Sequence, residues 1–287
     1  MRGIVLSAGR GSRLWPITYG VSKQLLPVYD KPLIHYPIAT LFLAGIREIL
    51  IITTPIDQEV FQRTLGDGSQ FGVTFEYAIQ HQPTGIADAF IVGEKFIGNK
   101  SVALILGDNV FYGQGLGIQL RKNLDISGAH IFAYKVSDPE RYGVVEFDSQ
   151  SGKVISIEEK PQIPKSNFVI PGLYFYENSV VDKAKKVIPS SRGEKEITSV
   201  NQMFLNEGKL TTTVLERGTA WLDTGTFDSL HSASSFIKAI EDRQGLKVSC
   251  LEEIAWRNGW INDADLLSLA NRYESSPYGQ YLRTLLN

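Results

Sequence analysis

Asp108 and Asp223 each stand just past a short apolar run, in Val102-Ala103-Leu104-Ile105-Leu106-Gly107-Asp108-Asn109 and Trp221-Leu222-Asp223-Thr224-Gly225-Thr226. Open α/β sheets bind ligands at the carboxyl ends of their strands, so an acid in that position is well sited to act. It suits Mg2+, which takes one or two carboxylates and completes its octahedron with water and phosphate oxygens. A cap on the following helix explains Asp108 about equally well, and Asp223 or Thr226 could cap the helix after them. Two acids far apart in sequence, both at strand-to-loop junctions, fit a divalent-metal site better together than singly.

The complementary cations come first in the chain. Ile4-Val5-Leu6-Ser7-Ala8-Gly9-Arg10-Gly11-Ser12-Arg13-Leu14-Trp15-Pro16 reads as a buried-type strand entering a glycine-rich loop, and Ser22-Lys23-Gln24-Leu25-Leu26-Pro27 follows. Gly9 and Gly11 let backbone N–H groups turn toward a phosphate, and Arg13 and Lys23 could neutralise a polyphosphate. No Gly-Lys-Ser/Thr closes the loop, so it is not a P-loop, and the third glycine of the dinucleotide fingerprint is missing. On spacing alone an ordinary strand–helix turn is as good a reading.

Other residues add weaker signals. Gln80 and Gly85, in Gln80-His81-Gln82-Pro83-Thr84-Gly85, lie between a strand and a helix, where an amide can pair with a base edge; taken alone this is a loop. In Ile157-Glu158-Glu159-Lys160-Pro161 strand alternation sends Glu158 and Lys160 to one face and Glu159 to the other. Lys160 could hold a phosphate as a point charge, or the cluster is a solvated strand end. Arg141-Tyr142-Gly143 and Arg192-Gly193-Glu194 supply turns where backbone and carboxylate could meet sugar hydroxyls, or plain turns. The four histidines have no metal-ligand spacing, and neither a Gly-x-Ser-x-Gly elbow nor a kinase His-Arg-Asp loop occurs. The chemistry this set supports is positioning and electrostatics on phosphates.

These residues need elements to hold them. From 1 to about 135 the chain alternates strand and helix. Gly3–Leu6, Ile49–Thr53 and Val102–Leu106 are apolar without period-2 polarity, as strands covered on both faces are. Helices are expected over Pro32–Ala44, with proline in the first turn, and over Thr84–Phe96. The alternation predicts an α/β fold with a twisted, mostly parallel sheet. Tyr142–Asp148 and Lys153–Glu159 read as a hairpin joined by Ser149-Gln150-Ser151-Gly152. Asn167–Tyr176, interrupted by Pro171-Gly172, and Lys209–Leu215 read as further strands. Beyond Thr226 the chain is mainly helical, over Phe227–Arg243, Leu251–Gly259, Asp263–Tyr273 and Tyr278–Leu286.

Bulk composition narrows the classes. The chain has 287 residues, 43% hydrophobic and 21% charged, with net charge −2, which favours neither nucleic acid nor an anionic membrane as partner. The one cysteine allows no intrachain disulfide and suits a reducing compartment. No signal-peptide pattern and no membrane-length apolar run is seen, so a cytoplasmic location is expected.

Taken in order, Arg10–Pro16, Ser22–Pro32, Gly107-Asp108-Asn109, Asp138–Asp148, Glu158–Pro161, Trp221–Thr226, Glu241–Lys247 and Tyr278–Leu282 cover essentially the whole chain. Together they resemble the glucose-1-phosphate thymidylyltransferases (dTDP-glucose pyrophosphorylases) of the sugar-phosphate nucleotidyltransferase family. The resemblance implies a Rossmann-like fold with an inserted sugar-binding β-hairpin region and a helical C-terminal segment. It implies a catalytic domain over 1–240, with a nucleotide part to about 135 and a sugar part over about 136–225. Residues 241–287 would then pack at a subunit interface.

The implied reaction joins dTTP and α-D-glucose 1-phosphate, with Mg2+, into dTDP-glucose and pyrophosphate by direct in-line attack. It opens dTDP-rhamnose or other dTDP-deoxysugar biosynthesis. Arg13 and Lys23 would hold the triphosphate, with Gly9, Gly11 and Ser12 in its loop. Asp108 and Asp223 would hold Mg2+, and Lys160 would orient the sugar phosphate. Leu6, Gln80 and Gly85 would read the base and Gln24 would contact the deoxyribose. Asn109, Gly143, Glu159, Tyr174 and Glu194 would line the sugar pocket. The resemblance also implies a homotetramer with a dTDP-sugar feedback site, matched by Tyr112, Gly113, Arg217, Val248, Glu253, Ile254 and Arg257. Departures from the family pattern are Ala8 for glycine, Arg10 for serine, Ser12 for threonine, Ser199 where Thr-Asp is usual, and Gly117-Ile118 for His-Glu. A UTP-using uridylyltransferase and a catalytically dead, nucleotide-sugar-sensing homologue are the alternative readings.

Overall fold

The computed structural model describes residues 1–148 and 150–287. Its first half runs β1 (Arg2–Ser7), a small hairpin of β2 (Pro27–Val28) and β3 (Lys31–Pro32), α1 (His35–Leu43), β4 (Glu48–Thr53), α2 (Gln58–Leu65), β5 (Thr74–Ile79), α3 (Asp88–Val92), α4 (Glu94–Ile97), β6 (Val102–Leu106), β7 (Asn109–Tyr112), α5 (Leu116–Arg121) and β8 (Ala129–Lys135). There follow β9 (Gly143–Phe147), β10 (Val154–Glu159), β11 (Phe168–Val169), β12 (Leu173–Tyr176), α6 (Val180–Lys186), α7 (Ile197–Asn206), β13 (Leu210–Val214) and β14 (Ala220–Asp223). Four helices end the chain: α8 (Phe227–Gln244), α9 (Leu251–Arg257), α10 (Asp263–Arg272) and α11 (Pro277–Thr284).

The main sheet has the order β10-β9-β11-β8-β12-β6-β1-β4-β5, with β13 on β8. Its centre is parallel as expected: β1 lies between β4 and β6, and β4 pairs with β5. The inserted region extends it antiparallel, through β12 onto β6 and outward to the β9–β10 hairpin. Ser149, the first residue of the expected hairpin turn, lies outside the described residues.

Both faces of the parallel strands are covered, which is why they lack polar alternation. Val5, Ile49, Ile51 and Ile105 enter one core with Phe42 of α1 and Leu251, Leu266 and Leu282 of the C-terminal helices. Ile4, Leu50, Ile52 and Leu104 enter the other, with Phe90, Val200 and Phe204. A third cluster seats Ala233 and Ile237 of α8 on Val28, Leu33 and Val110. The C-terminal helices therefore share the core of the parallel strands. Among the described residues no helix is long and apolar enough to cross a membrane.

Two expected helices differ. Pro32 belongs to β3, and α1 starts at His35 with Pro37 in its first turn, where a missing N–H costs nothing. Thr84–Phe96 is not one helix but α3 and α4 meeting at Gly93.

Candidate active site

The two acids are brought together by a ribbon outside the main sheet. β14 pairs antiparallel with β7, and its register sets Asp223 opposite Asn109, next to Asp108. Thr224 ties the two loops by donating its hydroxyl to the Asp108 carbonyl at 2.9 Å. Neither acid caps a helix. Asp108 leads into β7, and α8 is capped by Thr226, whose hydroxyl accepts from the Ser229 N–H at 3.2 Å.

Asp108 is held on both oxygens. Lys23 Nζ lies 2.7 Å from Oδ2, and Asn109 Nδ2 donates to Oδ1 at 2.8 Å. Asn109 is itself fixed, because its Oδ1 accepts from Trp221 Nε1 at 2.6 Å and from the Gly172 N–H at 3.2 Å. Burial works to raise the Asp108 pKa, but the charge and hydrogen bond of Lys23, the Asn109 amide and the Arg13 charge hold it below the usual carboxylate value. Asp223 Oδ2 accepts from the Tyr142 hydroxyl at 3.1 Å and from Arg141 at 3.4 Å. Burial, and then the Asp223 charge, push the Tyr142 phenol upward and keep it a donor. Arg13 makes no side-chain hydrogen bond or ion pair among the described residues. A Cβ on Gly225 would lie 3.5 Å from Arg13 Nη1 and 3.4 Å from Asp223 Oδ2, so the glycine leaves that space open.

Arg13, Asp108, Asn109, Gly143, Glu159, Lys160, Tyr174 and Asp223 all line one cavity of 390 Å³. Glu159 accepts from Thr198 through Oε2 and faces Arg192 at 3.3 Å and Lys160 at 3.7 Å through Oε1. The expected alternation fails at Lys160. Its φ of 44° is left-handed, which turns the chain before Pro161 and brings Lys160 to the same cavity as Glu159. Tyr174 is buried, and burial and then the Glu159 charge raise its pKa. Glu194 is not in the cavity lining; it sits 3.8 Å from Arg192. Sequence reasoning missed Ile86, Thr198, Asn201 and the cavity role of Trp221. Thr198 and Asn201 lie on α7, and the Asn201 Nδ2 is buried with no partner among the described residues.

The glycine-rich loop borders a second cavity of 460 Å³ lined by Gly9, Arg10, Trp15, Tyr19 and Gln80 among others. Gly11 has φ +62°, and its carbonyl accepts from the Leu14 N–H and the Thr18 hydroxyl. A Cβ there would press on Lys23 at 3.3 Å. Ser12 opens the short 3-10 turn that carries Arg13. Ala8 is buried and is not among the left-handed residues, so its methyl is accommodated in the core. Gln24 is buried and accepts from Ser22 at 2.7 Å, and Leu6 ends beside Leu106. Gln80 is buried and donates to Asp88 at 3.0 Å. Gly85 has φ +108°, and a Cβ on it would meet the Lys195 backbone at 2.5 Å; the close approach it permits is that of the Lys195 strand of chain.

A third cavity, of 300 Å³, gathers Tyr112, Gly113, Val248, Glu253, Ile254 and Arg257. Arg217 is not in its lining. Gly117 backs onto the Leu43 carbonyl, and Ile118 is 69% exposed.

The donor set decides what metal could bind. Among the described residues no group of three or more His, Cys, Asp and Glu side chains could hold an ion. Two carboxylates fit Mg2+, which retains water and takes phosphate oxygens, and do not make a self-sufficient cage.

Residues 2–240 match the model of the nucleotidyl transferase family. The chain is 60% identical over 287 residues to the glucose-1-phosphate thymidylyltransferase of Mycolicibacterium smegmatis, covering 100% of this chain and 99% of that one. The enzyme of the same name from Mycobacterium tuberculosis is 58% identical over 286 residues, with the same coverage. Among solved structures, a Bacillus anthracis protein crystallised with sucrose, a candidate glucose-1-phosphate thymidylyltransferase, superposes with TM-score 0.76 at 39% identity, over 82% of this chain and 94% of its own. A UDP-glucose pyrophosphorylase bound to UDP-glucose superposes with TM-score 0.73 at 22% identity, over 85% and 99%, and shares the fold.

Proposed function

This chain belongs to the nucleotidyl transferase family, among the glucose-1-phosphate thymidylyltransferases, and from that premise we propose that it transfers a thymidylyl group from dTTP to α-D-glucose 1-phosphate, releasing pyrophosphate. The observation that carries the site assignment is the β7–β14 register, which sets Asp223 opposite Asn109 and beside Asp108 at a cavity lined by Arg13, Glu159 and Lys160.

A phosphate oxygen of the sugar phosphate attacks the α-phosphorus. A P–O bond forms there, the bond to the β-phosphate breaks, and the electron pair leaves with pyrophosphate. Both partners are anions, so cations must bring them together and hold them in line. In this reading Lys160 orients the sugar phosphate, and Glu159, Asn109, Gly143 and Tyr174 line the sugar. Arg13, with no side-chain partner among the described residues, takes charge developing on the departing phosphates. Lys23 and the Gly9–Ser12 backbone hold the triphosphate. Gln24 lies toward the deoxyribose, and Leu6 and Gln80 toward the base. Asp108 and Asp223 would hold Mg2+, which supplies neutralisation of phosphate charge when bound. The third cavity is the place for a dTDP-sugar effector, and a homotetramer in a cytoplasmic setting completes the reading.

The test is pyrophosphate release with Mg2+ and glucose 1-phosphate, comparing kcat/KM for dTTP and UTP. A thymine methyl in a close-fitting pocket is worth about 1–3 kcal/mol, so a clear dTTP preference is expected. Equal or UTP-favoured rates would make the chain a uridylyltransferase. No release with either would make it a sensing homologue.

A further inference from the structure

Lys23 is not in the cavity lining, unlike Arg13, Arg141 and Lys160. It is only 5% exposed, and its ammonium is already spent on Asp108 Oδ2 at 2.7 Å. The other Asp108 oxygen accepts from Asn109, whose amide is pinned by Trp221 and Gly172 and cannot swing away. Both oxygens that could reach a metal therefore carry a donor. Asp223 in turn accepts from Tyr142 and Arg141. Asp108 has Lys23 beside it and Asp223 has Arg141, whose nearer partner is Asp138 at 2.7 Å, so it is at Asp108 that an arriving divalent ion meets a cation fully committed to the carboxylate.

We propose that Lys23 is a resident placeholder for the metal on Asp108, released only when a nucleotide's phosphates take its ammonium. The inference rests on the reading of Asp108 as a metal ligand. A triphosphate brings several negative charges to the loop carrying Lys23 and Arg13. When the ammonium turns from Asp108 to a phosphate oxygen, Oδ2 is freed and the metal replaces one cation by another. Nucleotide and metal are then coupled, and the coupling is reciprocal: each raises the affinity of the other.

The experiment titrates Mn2+, followed by electron paramagnetic resonance, into the full chain without nucleotide. Wild type should bind weakly. Lys23→Met should bind Mn2+ about 5- to 150-fold more tightly, the usual range for such a coupling, and Lys23→Arg should stay weak. Equal affinity in wild type and Lys23→Met would overturn the placeholder. A second readout avoids any folding defect. In wild type labelled with 15N-lysine, Mn2+ alone should leave the Lys23 ammonium resonance sharp, and Mn2+ with a non-hydrolysable dTTP analogue should broaden it. Broadening by Mn2+ alone would overturn the proposal. Asp108→Asn separates the two levels. If it leaves Mn2+ binding unchanged with the dTTP analogue present, the metal-ligand reading fails and the placeholder with it. If it abolishes that binding while Lys23→Met gains nothing, only the placeholder fails.

Discussion

At the scale of single residues, the two acids and Lys160 carry separable roles. Asp108→Asn and Asp223→Asn keep their shapes and remove a preorganised charge. Each is expected to lower kcat on the order of 10²–10³-fold, measured as pyrophosphate release, with affinity for free glucose 1-phosphate little changed. Near-wild-type turnover in either variant would take that residue out of the metal site. Lys160→Ala should raise KM for glucose 1-phosphate far more than for dTTP, because Lys160 lies 3.7 Å from Glu159 on the side of the cavity proposed for the sugar. A matched rise for both substrates would refute that division. Residue types were legible here, since Arg13, Asp108 and Asp223 could be picked out from the sequence; the partners that tune them, Asn109 on Trp221 and Tyr142 on Asp223, were not. Hydrogen bonds between distant segments leave no mark in local composition.

At the scale of elements, loop glycines do different work. Gly85 is left-handed, and a Cβ on it would lie 2.5 Å from the Lys195 backbone. Gly85→Ala should cost about 1–3 kcal/mol through its backbone conformation alone. It should also displace the segment leading to Glu196 and Thr198, raising KM for the sugar phosphate. Gly9 has open space where a Cβ would lie, and Gly9→Ala should change stability by less than about 0.5 kcal/mol. Urea unfolding of both variants, with KM for each substrate, checks the contrast. Strands β1, β4 and β6 were readable because burial on both faces writes an unbroken apolar run. The break at Gly93 and the left-handed Lys160 were not, because each answers to a tertiary neighbour or to the chain beyond it.

At the scale of the whole molecule, the pH dependence of stability on the acid side follows from two histidines, His130 buried and His35 half-buried with its Nδ1 shielded from water. Burial, aided by Lys31 and opposed by Asp30, lowers the His35 pKa to about 4, and burial lowers His130 to about 4. Their ordinary value is 6.5, so between about pH 6.5 and 4 the unfolded chain binds more protons than the folded one. Stability therefore rises with pH through that window and is lost as pH falls through it, with a slope of up to about 1.4 kcal/mol per pH unit for each histidine. His130→Gln should flatten the slope of unfolding free energy against pH in that range. An unchanged slope would show that His130 does not titrate as its burial requires.

Apolar runs, turn residues and the ordered set of motifs were enough by themselves to specify an α/β chain, its parallel centre and the residue types that a phosphate-handling site would need. Those signals are local or recur along the whole chain. The tertiary structure alone decided that Asp108 and Asp223 line one cavity, through the antiparallel register of β7 and β14. It also decided that Lys160 joins Glu159, that Glu194 stays outside the cavity, and that Lys23 is already paired. Each of these outcomes depends on how separate segments are oriented in space, and side-chain type at a position carries no information about which distant segment will pack beside it.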